Sequence, residues 1–77
     1  MRFTSIVNFM KFIQFLEGLG YMYPGPLYDL TTILRGLPDF ISMYQVVLDH
    51  TYEYIHITLY RNNKVALQIN MENKNEA

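Results

Sequence analysis

The sequence has no cysteine and no tryptophan, and its 77 residues include only three prolines and four glycines. Without cysteine, neither a disulfide framework nor a thiolate metal site can form, and the absence fits a reducing compartment. A single domain of this size must therefore fold by apolar packing alone. Its composition, 51% hydrophobic and 16% aromatic, supplies enough apolar surface. The excess over what one small monomer can bury favours a protein partner or a homodimer.

Charged residues are also scarce, at 17% with a formal net charge of −1. Electrostatic binding to nucleic acid needs a basic excess, so a nucleic-acid partner is not expected. The N-terminus has an early arginine and many apolar residues, as a secretion signal does. However, polar residues interrupt the run every third position, and no apolar stretch is long enough to cross a membrane. The expected protein is therefore cytoplasmic, with no membrane contact.

Spacing and capping residues predict two N-terminal helices. The first runs from about Ser5 to Leu19, with Thr4 or Ser5 as its N-terminal cap. The second runs from about Pro26 to Arg35, where "RGLP" predicts its end, with Gly36 in the left-handed conformation. Phe12 and Phe15 widen the apolar face of the first helix, which predicts that this helix is covered on two sides.

The segment "DFISMYQVVLDH", residues 39–50, fits two structures. Its apolar spacing suits a helix capped by Asp39, but its β-branched and aromatic residues suit a buried strand. A strand over about Ser42–Leu48 is favoured, since the hairpin that follows would otherwise be marginally stable. A helix there would instead give three helices and a hairpin, which is the winged-helix arrangement.

Two alternating segments, "YEYIHITLY" and "KVALQINM", predict a β-hairpin. A three-residue loop at residues 61–63 would pair Leu59 with Val65, Ile57 with Leu67 and Ile55 with Ile69, uniting one apolar face. The predicted fold is thus α+β: two helices followed by a three-stranded antiparallel meander, in two layers. Residues 1–71 form the domain, and residues 72–77 form a disordered polar tail.

The hairpin register places a row of polar and aromatic side chains on the face opposite the core. Tyrosine offers a large contact area at low entropic cost, so this row is a candidate partner-binding surface, although an ordinary solvent-exposed face has the same composition. Tyr21 and Tyr23, in the loop "GYMYPGP", either cap the core or form a projecting contact. The predicted partner-binding residues are Tyr21, Tyr23, Tyr54, His56 and Tyr60.

Catalytic machinery is not recognisable in the sequence. Ser5 is expected to cap a helix, and Ser42 lies in an apolar segment without an evident base. His50 and His56 would be roughly 20 Å apart on an extended chain, at about 3.3 Å per residue. No metal-ligand spacing or phosphate-binding loop is present, so neither a cofactor nor enzymatic activity is predicted.

These observations favour a small non-enzymatic module that binds another protein and modulates or inhibits it. Residues with AT-rich codons are abundant, which is associated with phages and other mobile elements, so an inhibitor of a host defence complex (an anti-CRISPR-like role) is the favoured instance. The alternative is a winged-helix DNA-binding transcriptional regulator, with residues 40–48 as its recognition helix. That segment has no lysine or arginine for phosphates. A structural subunit that dimerises through the first helix is a third hypothesis.

Overall fold

A four-stranded antiparallel sheet packs against two helices. The computed structural model describes residues 2–37 and 43–74. Within them, the helices are α1 (Ile6–Gly18) and α2 (Leu27–Arg35), and the strands are β1 (Tyr21–Met22), β2 (Gln45–His50), β3 (Tyr54–Arg61) and β4 (Lys64–Asn73). The strand order across the sheet is β1-β4-β3-β2, and each neighbouring pair is antiparallel. The α+β class and the two helices are confirmed.

Local signals define both helices, as the sequence predicts. The Oγ of Ser5 accepts a hydrogen bond from the Asn8 backbone N–H at 3.2 Å, which caps one of the free amides of the first turn of α1. Pro26 occupies the N-cap position of α2, next to amides that have no helical partner. The end of α2 differs from the prediction in one respect. Gly36 has a φ of −78°, which is right-handed.

The sheet has one strand more than the three predicted. Residues Tyr21 and Met22 pair with Asn73 and Glu72, so the loop after α1 forms a short edge strand beside β4. The Lys74 N–H also donates to the Gly20 carbonyl at 2.8 Å. Gly20 precedes this dipeptide and Pro24 follows one residue after it. Its pairing depends on a strand about 50 residues away, so no local periodicity marks it.

The alternative with a third helix is wrong. Strand β2 pairs with β3 along its whole length, from Gln45 opposite Tyr60 to His50 opposite Ile55. Residues 45–48 therefore cannot belong to a recognition helix. Residues 39–42 of that segment, including the predicted strand start at Ser42, lie outside the described residues.

The β3–β4 hairpin turns differently from the three-residue loop predicted. Arg61 pairs with Lys64 across a two-residue turn, where Asn62 and Asn63 have φ values of 53° and 62°. Both lie in the left-handed region that asparagine tolerates, and this turn type matches the twist of the strands. The predicted cross-strand partners are therefore wrong.

A β-bulge shifts the register of this hairpin by one residue and keeps its apolar side chains on one face. Tyr60 pairs with Val65, whereas Leu59 pairs with Leu67, so Ala66 is an extra residue in β4. A two-residue turn without this bulge would split the apolar face. With it, Ile57 pairs with Ile69 and the core side of the sheet stays continuous.

The core lies between one face of the sheet and both helices. Alternate residues of β2, β3 and β4 are buried on this face, and a single cluster joins them to the helices. Its buried members are Phe9, Ile13, Leu16, Leu30, Leu34, Tyr44, Val46, Ile55, Ile57, Leu59, Ile69 and Met71. Since both helices bury residues in this cluster, they occupy the same side of the sheet.

The ordered sheet extends further toward the C-terminus than predicted. The last two residues of β4 are Glu72 and Asn73, which were predicted to belong to the polar tail. Residues 75–77 of that tail lie outside the described residues. Within the ranges 2–37 and 43–74, neither helix combines the length and apolar character needed to span a membrane.

Substitution by alanine should affect stability differently at Gly20 and Gly36, the glycines that follow the two helices. Gly20 has a φ of 98°, which L-residues rarely adopt, so Gly20→Ala should lower the free energy of unfolding by about 1–2 kcal/mol. At Gly36 an added Cβ would lie 3.4 Å from the Ile33 carbonyl oxygen, an ordinary contact. Gly36→Ala should therefore leave the free energy unchanged or raise it by up to about 1 kcal/mol. Urea unfolding measures the free energy of unfolding of both variants, and equal losses of stability would contradict the prediction.

Candidate functional site

The sheet face that points away from the helices carries the candidate site. We call it the outer face, and none of its members is buried. It comprises Met22 of β1, Gln45, Val47 and Asp49 of β2, Tyr54, His56, Thr58 and Tyr60 of β3, and Val65, Gln68, Asn70 and Glu72 of β4. No described helix or loop covers it, because both helices pack on the opposite side. The face is therefore a four-stranded surface open to solvent.

Aromatic and amide side chains form an ordered row near the middle of the outer face. The rings of Tyr54 and His56 are stacked, with centroids 6.0 Å apart and an interplanar angle of 25°. Across the strands, His56 Nδ1 lies 2.7 Å from Asn70 Oδ1. Because an amide oxygen only accepts, Nδ1 carries the proton, and Nε2 of the neutral ring is left as an acceptor. Tyr54 and Asn70 thus fix the orientation of the imidazole.

The outer face is uneven in charge. It contains the carboxylates of Asp49 and Glu72 but no lysine or arginine. Lys74, just beyond β4, forms an exposed ion pair with Glu72 at 3.1 Å. Asp49 lies directly opposite His56 and has no ion-pair partner among the described residues. A surface of this kind offers hydrogen-bond acceptors and aromatic contact area without cations for phosphate groups.

The basic residues at the hairpin tip lie off the outer face. Arg61 follows Tyr60 in β3, so its side chain is on the core side of the sheet. Its guanidinium carbon lies 5.8 Å from the ring centroid of the buried Tyr44, within the range of a cation–π contact. Arg61 therefore covers the end of the core and does not extend the polar-aromatic row.

The five predicted partner-binding residues separate into two groups. Tyr54, His56 and Tyr60 share the outer face, as the alternation of β3 predicts. Tyr21 and Tyr23 are half-buried and pack against the core cluster. The ring of Tyr23 also lies so close to Gly25 that an added Cβ would be 3.2 Å from Cε1. The loop thus caps the core with its tyrosines, which was one of the two alternatives.

Sequence reasoning missed three apolar members of the outer face. Their exposed fractions are 36% for Val47, 47% for Met22 and 55% for Val65. The position of Val47 on the outer face could have been predicted, because it lies between Val46 and Leu48, whose side chains are on the core side. Met22 could not, because its place beside Glu72 depends on the unexpected strand β1. Together they add apolar contact area around the tyrosines.

The outer face lacks an evident nucleophile beside the oriented histidine. Ser5 caps α1, and Ser42 lies outside the described residues. Within the described ranges, no cluster of three or more histidine and carboxylate side chains could hold a metal ion. The arrangement of Tyr54, His56 and Asn70 can therefore accept hydrogen bonds and provide stacking surface.

Comparison with protein-family models, with curated proteins and with solved structures finds no match for this chain. The geometry of the outer face is therefore the basis for inferring the function.

Proposed function

We propose that this protein is a small non-enzymatic module that binds another protein through the outer face of its sheet. The observation that supports this most is the uncovered surface on which tyrosines and an oriented histidine lie among exposed valine and methionine side chains. Protein interfaces are enriched in aromatic residues, methionine and arginine, and depleted in lysine.

The rigidity of the outer face favours binding. A partner docking onto a sheet orders few flexible segments, and the Tyr54–His56 stack and the His56–Asn70 hydrogen bond already hold their side chains in place. Less conformational entropy is then lost on association. The carboxylate of Asp49 and the acceptor Nε2 of His56 suit a partner that presents hydrogen-bond donors or a basic side chain.

Such a module would act by occupying its partner's surface, because it brings no recognised catalytic group to it. Inhibition is therefore the mode of action we propose. An inhibitor encoded by a phage or mobile element and directed at a host defence complex is the instance that the residue bias favours. A DNA-binding role is not favoured, because the outer face has no cation and residues 45–48 are part of a strand.

Capture of the partner from a nuclease-treated lysate tests the proposal. Thr58 lies near the centre of the outer face, so Thr58→Arg should place a bulky cation in the interface and abolish stoichiometric capture of the protein that the native chain retains. A misplaced charge at a desolvated centre costs several kcal/mol of binding.

Thr32→Arg is the matched control, since Thr32 is an exposed residue on α2, on the opposite side of the molecule. It should retain the partner, and both variants should show native circular dichroism. Equal capture by the two variants would contradict binding through the outer face. Recovery of nucleic acid alone, lost after nuclease treatment, would contradict the protein-binding function itself.

A further inference from the structure

A groove between the two helices lies on the opposite side of the molecule from the outer face. Its volume is about 120 Å³, and its walls are mainly apolar side chains of both helices: Met10, Ile13, Leu27, Leu30 and Leu34. A closed apolar cavity of about 150 Å³ can hold a benzene molecule. The groove is slightly smaller than this but is open to solvent, so it can accept the end of one side chain the size of leucine or phenylalanine.

The polar wall of the groove contains a single charged residue. Gln14, Glu17 and Thr31 line this wall. The Thr31 hydroxyl already donates to the Leu27 carbonyl at 3.0 Å. Glu17 is half-buried and forms no ion pair with any described residue, and the last turn of α1 has no basic residue to compensate it. An apolar depression with one uncompensated carboxylate is complementary to an apolar group next to a cation.

We infer that this groove binds a segment of a partner protein in which a leucine- or phenylalanine-sized side chain is followed by lysine or arginine. The apolar side chain enters between Ile13 and Leu30, where its transfer from water drives binding. The neighbouring cation pairs with the Glu17 carboxylate. This second contact surface does not depend on the function of the outer face, and both surfaces can be occupied at once because they lie on opposite layers.

Methyl NMR titration with a blocked dipeptide, N-acetyl-phenylalanyl-lysine amide, tests the inference on the intact protein. We expect saturable shifts of the methyl groups of Met10, Ile13 and Leu27, without shifts of Val47 or Val65 on the outer face. The same peptide with glutamate in place of lysine should bind more weakly. Because a partly exposed ion pair contributes only modestly to affinity, Glu17→Gln should raise the Kd about threefold.

Glu53→Gln is the matched control, since it removes an exposed carboxylate in the β2–β3 connection and changes the net charge equally. It should leave the Kd unchanged. Leu27→Ala, at an exposed groove residue, should weaken binding of both peptides. Equal affinities of the two peptides, or no shift of groove methyls, would overturn the inference. Shifts of these methyls with protein concentration alone would assign the groove to a second copy and would also overturn it.

Discussion

Replacing Phe9 with alanine should destabilise the protein by about 3–5 kcal/mol, the usual cost of removing a buried aromatic ring. Phe9 is fully buried, and its ring packs edge-on against Phe3 with centroids 5.1 Å apart. A 77-residue domain has about 4–12 kcal/mol of stability in total, so this single change removes a large part of it. The measurement is the free energy of unfolding in urea.

Phe15→Ala is the matched control on the same helix. The Phe15 side chain is 61% exposed, so its removal should change the free energy of unfolding by no more than about 0.5 kcal/mol. Similar losses for both variants would contradict the placement of Phe15 in solvent. A Phe15→Ala loss that depends on protein concentration would instead support dimerisation through α1.

The double variant Tyr54→Ala/Tyr60→Ala should weaken binding of the partner at least tenfold, which corresponds to about 1.4 kcal/mol. Tyr54 is exposed and stacked on His56, and Tyr60 is half-buried on the same face. Truncating both would remove contact area and the ring that orients His56, and central tyrosines often account for a large share of interface energy. Isothermal titration calorimetry with the captured partner measures the loss.

Two tyrosines outside the outer face provide the control for this variant. Tyr28 on α2 and Tyr52 in the β2–β3 connection are both exposed, and their double alanine variant should bind with native affinity. The fold should survive in both cases, because none of the four rings belongs to the buried core cluster. Native affinity of the Tyr54/Tyr60 variant would contradict a binding role for these residues.

Those parts of the fold that depend on local signals could be predicted from the sequence. The Ser5 cap, the helical spacing of α1 and the alternation of β3 each act within a few residues, and each prediction is confirmed. Features that depend on distant contacts were missed. Strand β1 exists because β4 lies beside it, and Phe15 is exposed because no element among the described residues covers that side of α1.

The same distinction applies to the candidate site. Alternation alone placed Tyr54, His56 and Tyr60 on one face, whereas their cross-strand neighbours required the correct hairpin register. The predicted pairs of Ile57 with Leu67 and Ile55 with Ile69 imply Gln68 opposite His56. In the structure Asn70 lies there and hydrogen-bonds the ring. The groove between α1 and α2 was not predicted, because sequence spacing does not determine how two helices pack.

The bulge at Ala66 also determines which changes in chain length this fold can accept. Removing that one residue would leave Tyr60 opposite Val65 and Leu59 opposite Leu67, so the hairpin would become regular and the core pairs would be unchanged. A one-residue deletion elsewhere in β4 between Leu67 and Met71 would instead turn its following side chains to the other face. Evolutionary relatives of this protein can therefore differ in length by one residue at this point, and an alignment of β4 should permit a gap there.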